Sequence, residues 1–149
     1  MTNPGRSSAS SVKMNLRSPV DFVGRVSELE GILEALSPST RAWIISLTGV
    51  GGIGKSELAI KAAHMAVERK LFTSIVWITA KESWLTYEGI KTQYSVVSLD
   101  DLLNTIISVL ELHPQPLEMI LERKRSLVGK ALGSQSCLLI VDNLETIQD

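Results

Sequence analysis

Apolar residues follow two alternating rhythms along this chain. Leu29, Ile32, Leu33 and Leu36 recur at the spacing that lines one side of a helix, and Ser37-Pro38-Ser39 supplies its stop. Ser27 and Glu30, three residues apart, have capping-box spacing at its start. Ala42–Thr48 (AWIISLT) is short, apolar and partly β-branched, as a buried strand requires. Helical spacing returns with Leu58, Ala59, Ala62, Ala66 and Val67, which predicts a helix from 55 to about 69, and Ser74–Thr79 (SIVWIT) reads as a second strand. Strand, loop, helix and strand in this order begin a parallel sheet with a crossover.

The segment 80–97 has no dependable period and is expected to be a loop with a short helix. Ser98 and Asp101 again have capping-box spacing, ahead of Leu102, Leu103, Ile106, Ile107 and Leu110 on one helical face. His113-Pro-Gln-Pro116 interrupts that helix, and a further one is expected from about Leu117 to Leu132. Gly133–Ser136 then punctuates the chain before a third strand, Cys137–Val141, which ends at Asp142. There is no internal repeat and no coiled-coil heptad. Residues 1–18 are polar and serine-rich and read as a flexible leader, with an ordered arm against another domain as the alternative. Residues 19–149 read as one α/β domain.

Composition narrows the choice of partners. The 149 residues are 44% hydrophobic, enough for a core, and 15 basic against 16 acidic residues leave a net charge of -1. No broad cationic field is available, so nucleic acid is not indicated. Arg6, Lys13 and Arg17, Lys81, and the Arg123-Lys124-Arg125 cluster are read as solvated charge. Cys137 is the single cysteine, which excludes an internal disulfide and a thiol zinc site. His64 and His113 have no close cluster of metal-binding residues and are assigned packing or surface roles. Trp43 and Trp77 fall in expected strands and are read as core; Trp84 and Tyr87 are candidates for partner contact or local packing. The leader lacks the apolar stretch of a secretory signal, and no run approaches the roughly 20 apolar residues of a membrane span. A cytoplasmic protein without a membrane partner is expected.

The chemistry concentrates in Gly49-Val-Gly-Gly-Ile-Gly-Lys-Ser56, a complete G-x-x-x-x-G-K-[ST] octet between an apolar strand and a helix. Its glycines let the backbone approach an anion, and amides from Gly49, Val50, Gly51, Gly52, Ile53 and Gly54 to the helix start at Glu57 can point at phosphates. Lys55 is placed to meet the β and γ phosphates, and the Ser56 hydroxyl to bind Mg2+. Gly49, Gly51 and Gly54 also satisfy the dinucleotide pattern G-x-G-x-x-G. The Lys-Ser pair favours a nucleoside triphosphate, and about 20 residues on the chain has Lys70-Leu-Phe-Thr73 where a dinucleotide site expects an acidic ribose contact. At the tip of LLIVD, Asp142 can orient the same Mg2+ directly or through water. The next residue is Asn143, which can orient water but is a poor general base; Glu145 is the alternative carboxylate.

Together VGR at 23–25, GVGGIGKSELA at 49–59, VWITA at 76–80 and LLIVDNLE at 138–145 resemble the front half of an NB-ARC domain. That family belongs to the signal-transduction ATPases with numerous domains, which are related to the AAA superfamily. The resemblance implies a three-layer P-loop fold with a parallel sheet. It places the backbone from Phe22 through Val23 to Gly24 near adenine, with Arg25 fixing that segment, Gly49–Ser56 on phosphates and Asp142 on Mg2+. Family members act as slow ADP/ATP switches, with ADP favouring a closed state and ATP accompanying opening or assembly, including homo-oligomers.

Four departures follow. Asn143 resembles a frequent bacterial variant but weakens the assignment of a catalytic base. Ser56 stands where threonine is frequent, keeping the hydroxyl. Glu57 is charged where a small or hydroxyl residue is common. The resemblance also implies more chain after the acidic Walker B strand: a strand with a phosphate-sensing arginine, a fifth strand, a helical lid and a winged helix. In the implied strand order 5-1-4-3-2 the fourth strand lies between the first and third, so residues 1–149 alone are expected to leave a gap in the sheet and to need a further segment. A cooperative monomeric unfolding transition with tight ATP binding would contradict this.

The leading expectation is thus a nucleotide-controlled signalling module with slow Mg2+-dependent ATP hydrolysis. The alternatives are a non-hydrolysing, nucleotide-stabilised assembly module and a DNA-associated AAA-type ATPase. A Ras-like GTPase is disfavoured, because Asp142-Asn-Leu-Glu145 lacks the glycine of D-x-x-G.

Overall fold

A computed structural model describes residues 12–20, 23–40, 44–79, 81–86, 89–94, 98–113 and 119–143. The elements in order are β1 (Lys13–Met14), α1 (Val26–Ala35), α2 (Lys55–Glu68), β2 (Ser74–Thr79), β3 (Lys81–Thr86), β4 (Gly89–Tyr94), α3 (Leu99–Val109), α4 (Leu121–Ser134) and β5 (Cys137–Asp142). A parallel sheet in the order β1-β2-β5 is flanked by helices, and β3 and β4 form a separate antiparallel pair. This is an α/β fold of the P-loop NTPase-like class.

Alternation along β2 divides the layers. Val76 and Ile78 share one face and pack against Leu103, Ile106, Ile107 and Leu110 around α3 and Val128 of α4. Ile75, fully buried, lies on the opposite face with Trp77 and Thr79. On α2, Leu58 and Ala62 meet Leu29 of α1. Ile60 and Ala63, also buried, form a second stripe about 140° round the helix, where α2 approaches β5. In parallel register Thr79 stands beside Asp142, so the C-terminal ends of β2 and β5 are level.

On the α3 and α4 side one expected feature holds and two shift. The Ser98 cap forms completely: Ser98 Oγ accepts from Asp101 N at 3.2 Å, and Asp101 Oδ2 accepts from Ser98 N at 2.9 Å. Ser98 Oγ also donates to Asp101 Oδ2 at 2.7 Å, and this side-chain hydrogen bond first, then the one from the Ser98 backbone, hold the Asp101 carboxyl below its ordinary pKa. A depressed folded pKa contributes stability above the unfolded value and loses it as pH falls through the acid range. Ser98→Ala is expected to cost about 1 kcal/mol at neutral pH in urea unfolding, with the cost shrinking as pH falls below the unfolded aspartate value of about 4.

α4 begins at Leu121, after the expected start near Leu117; Leu117 itself lies outside the described residues. Lys124, read from the sequence as solvated, is instead buried, with its ammonium donating to Asp100 Oδ1 at 2.7 Å. Asp100→Ala, which strands this ammonium, is expected to destabilise the fold by about 2 kcal/mol in urea unfolding, below the range for full burial because Asp100 is half exposed. Lys124→Met, which removes the charge and keeps the volume, is expected to cost less.

Other differences have local causes. Residues 81–86 and 89–94 form an antiparallel pair in place of the expected loop with a short helix; the pairing Lys81↔Tyr94 through Thr86↔Gly89 satisfies the backbone of both strands. α1 starts one residue before Ser27, because Gly24 and Arg25 adopt left-handed conformations (φ 88° and 55°) that turn the chain into the helix, and Arg25 occupies the cap position. Ser27 Oγ donates to Glu28 rather than capping. Ile44–Thr48, the described part of the first expected strand, makes no ladder, and Ile44 is 89% exposed. The adjacency of the second and third expected strands, β2 and β5, is as anticipated.

Lys13–Met14, within the stretch read as a leader, pair in parallel with Ser74–Ile75. Beyond them the Asn15 amide continues the ladder by its side chain: Nδ2 donates to Trp77 O at 2.9 Å and Oδ1 accepts from Trp77 N at 2.7 Å. A planar amide here takes the place of one more peptide unit on the edge of β2.

Candidate functional site

The glycine loop, residues 49–54, joins residues 44–48 to the first turn of α2. Its shape depends on missing side chains at two positions. Gly49 has φ 149° and Gly54 opens α2 with φ 84°, positive-φ conformations costly for residues with a Cβ. No side chain caps this helix end, leaving the positive end of α2 facing the loop.

Lys55 folds back over the loop, with Nζ donating to Gly49 O at 2.9 Å and Val50 O at 3.1 Å. Ser56 points the other way, towards the sheet, along the line of Ile60 and Ala63. Its hydroxyl lies 2.9 Å from both Oδ1 and Oδ2 of Asp142. Residues 86 positions apart therefore meet at one point, the loop's serine and the carboxylate at the end of β5. Both are oxygen donors suited to a hard divalent cation. One hydroxyl and one carboxylate fit Mg2+, which keeps water and ligand phosphates in its remaining positions.

Asn143 turns the chain away from β5 in a left-handed conformation (φ 57°), and its Nδ2 donates to Thr79 Oγ1 at 3.2 Å. Glu145 and Phe22 lie outside the described residues. Val23 is 96% exposed and packs on neither the loop nor α2, while Gly24 and Arg25 form the entry to α1. Val50 and Gly51 to Ile53 are exposed, as suits a loop open to a ligand. Glu57 sits beside Ser56 in the first turn of α2, where Arg17 pairs with it. An open groove of about 580 Å3 lies elsewhere, lined by Asn15, Asp100, Asn104, Thr105, Ser108 and Lys124, with no residue of the glycine loop in its wall.

Three residues of this region were not singled out from the sequence as site components: Asn15, Arg17 and Thr79. The only available signal was the charge at Glu57, which called for a cationic partner. Cys137, at the far end of β5, packs against the core, and burial raises its thiol pKa. Slow modification by a thiol reagent in the native state, rising on unfolding, is expected of it.

Residues 25–144 match the NB-ARC domain family, and the chain belongs to that family. It is 31% identical over 136 residues to the transcription activator GutR of Bacillus subtilis, covering 85% of this chain and 14% of that protein. It is 28% identical over 127 residues to a WD repeat-containing protein of Nostoc sp., covering 85% of this chain and 10% of the relative. A shorter match, 30% over 73 residues, joins it to a probable disease resistance RPP8-like protein of Arabidopsis thaliana, covering 45% of this chain and 8% of the relative. The chain thus spans about a seventh or less of the length of these relatives. No solved structure matches it. Membership supports a nucleotide-binding switch role in general. Among the described residues no helix is long and apolar enough to cross a membrane.

Proposed function

We propose that this domain binds ATP and ADP with Mg2+ and serves as the nucleotide-dependent switch of a signalling ATPase. The observation that carries the reading is the meeting of Ser56 and Asp142 at the mouth of the glycine loop. Phosphates enter the arc of Gly49–Gly54 and meet its amides and the N-terminal end of α2. The Lys55 ammonium exchanges its two loop carbonyls for the β and γ phosphate oxygens, a short swing that replaces weak acceptors by charged ones. Ser56 and Asp142 would hold Mg2+, which would neutralise phosphate charge when bound. Val23, Gly24 and Arg25 supply the nucleoside side, supported by the resemblance rather than by contact. The relatives described as a transcription activator and a probable disease resistance protein support a signalling output, and the family resemblance implies that sensor, lid, winged-helix and assembly functions belong to further regions.

Asn143 favours slow turnover, or a second reading in which nucleotide is held without hydrolysis. The position after Asp142 carries an amide engaged with Thr79, not a carboxylate, so no general base stands there. Titration of the full-length protein with ATP, ADP and GTP, with and without Mg2+, tests the reading. Mg2+-dependent affinity for the adenine nucleotides supports it, and absence of affinity for both refutes it. Phosphate release over several hours separates a slow ATPase from a retained ligand.

A further inference from the structure

The stretch Lys13–Arg17 touches three separate parts of the fold within five residues. Lys13 Nζ donates to Leu110 O at the end of α3, at 2.9 Å, and pairs with Glu111. β1 and the Asn15 amide fasten the stretch along β2 as far as Trp77. Arg17 then leaves the sheet edge for α2: its guanidinium pairs with Glu57, and its carbonyl lies 2.9 Å from His64 Nε2. Glu57 and His64 are seven residues apart, nearly two full turns, and so form one line along the side of α2.

That line differs from the other two faces of α2. Leu58 and Ala62 face α1, Ser56 shares the sheet-facing line of Ile60 and Ala63, and Glu57 and His64 face the arm. The arm is fixed at one end to β2, which is locked in register to β5 and hence to Asp142. Its other end is fixed to Glu57, the covalent neighbour of Ser56. It therefore spans the two bodies, sheet and phosphate-loop helix, whose separation sets the distance from Ser56 to Asp142.

We propose that residues 13–17 are a strap that positions the phosphate-loop helix against the sheet, with Arg17 acting through Glu57 to hold Ser56 and Asp142 at the spacing that seats Mg2+. The proposal rests on the nucleotide reading above and extends it to Arg17 as a positioning residue. It also accounts for the charge at Glu57, which has no phosphate to attract and a guanidinium to hold. Because both partners of the pair are partly exposed, its contribution is modest, and the effect is read best in the metal-dependent part of binding.

In the full-length protein, ATP affinity is measured with Mg2+ and with chelator for the wild type, Arg17→Ala and Arg17→Lys, together with hydrogen exchange of the first two turns of α2 without nucleotide. Arg17→Ala is expected to weaken Mg2+-ATP binding about three- to fivefold while leaving metal-free ATP within about twofold, and to speed exchange in α2. Arg17→Lys, which keeps a cation for Glu57, is expected to recover most of both. Equal losses with and without Mg2+ overturn the strap, since they indicate general loosening or direct phosphate contact. Unchanged affinity and exchange also overturn it while leaving the nucleotide reading intact. A wild type that binds no ATP but shows Arg17-dependent exchange in α2 refutes the nucleotide reading and retains the strap as a restraint on the helix.

Discussion

Replacing Lys55 by alanine is expected to weaken ATP binding by roughly ten- to a hundredfold, with a smaller loss for ADP. A charge-assisted hydrogen bond contributes about 1.5–3 kcal/mol, and each 1.4 kcal/mol is about tenfold in affinity. The loss is graded because in the proposed site the ammonium would address the β and γ phosphates, and ADP lacks the second. Stability is expected to move little, within about 0.5 kcal/mol. Without nucleotide the ammonium touches only Gly49 O and Val50 O in an exposed loop, and water can replace it there. Calorimetric titration of wild type and variant with both nucleotides, alongside urea unfolding, checks the three quantities together. Equal affinities for variant and wild type would remove the phosphate role of the loop, whatever the family.

What the sequence revealed was what is local. The octet from Gly49 to Ser56 carries its ligand chemistry in contiguous residues, and the Ser98 cap closes within four, so both could be read before any long-range pairing was known. α2 and β2 were legible because their apolar positions match one period over a full element. By contrast, β3 and β4 draw their order from each other, and neither has a pattern that survives without the partner strand. β1 is two residues long, too short for any period, and is recognised only through its ladder to Ser74 and Ile75.

Ser27 illustrates a different limit. Its spacing to Glu30 is correct, but the left-handed pair Gly24-Arg25 starts the helix earlier, and backbone geometry outranks the side-chain signal. Lys124 shows the same for charge. In sequence it stands between two arginines, and only the packing of α4 on α3 turns it inward to Asp100. At the site, Asp142 was legible as a strand-ending acid, but its contact with Ser56 follows from β5 lying beside β2 and α2 covering that face. The segment 44–48 bears on the same point. Its strand-like composition is plain, yet a strand is defined by a neighbour, and the residues described here provide none.

Removing the Asp142 carboxylate has a second large expected effect, and its sign depends on the metal. With Mg2+ present, Asp142→Ala is expected to lose roughly tenfold or more in ATP affinity, because one of the two protein oxygens addressed to the cation is gone. Without Mg2+, the same change is expected to strengthen ATP binding by about twofold, since a carboxylate beside a triphosphate repels it. The Mg2+ advantage, the ratio of the two affinities, therefore collapses from both sides. Ser56→Ala differs in a way that isolates the roles: it removes a proposed metal ligand but leaves the negative charge, so Mg2+-dependent affinity is expected to fall while metal-free affinity stays level. Any phosphate release is expected to fall to background in both variants. The Ser56–Asp142 hydrogen bonds are partly buried, and each variant is expected to lose about 1 kcal/mol of stability, which unfolding in urea measures separately from binding. If Asp142→Ala shifts both affinities in the same direction and by the same factor, the carboxylate is a structural partner of Ser56 and the metal lies elsewhere.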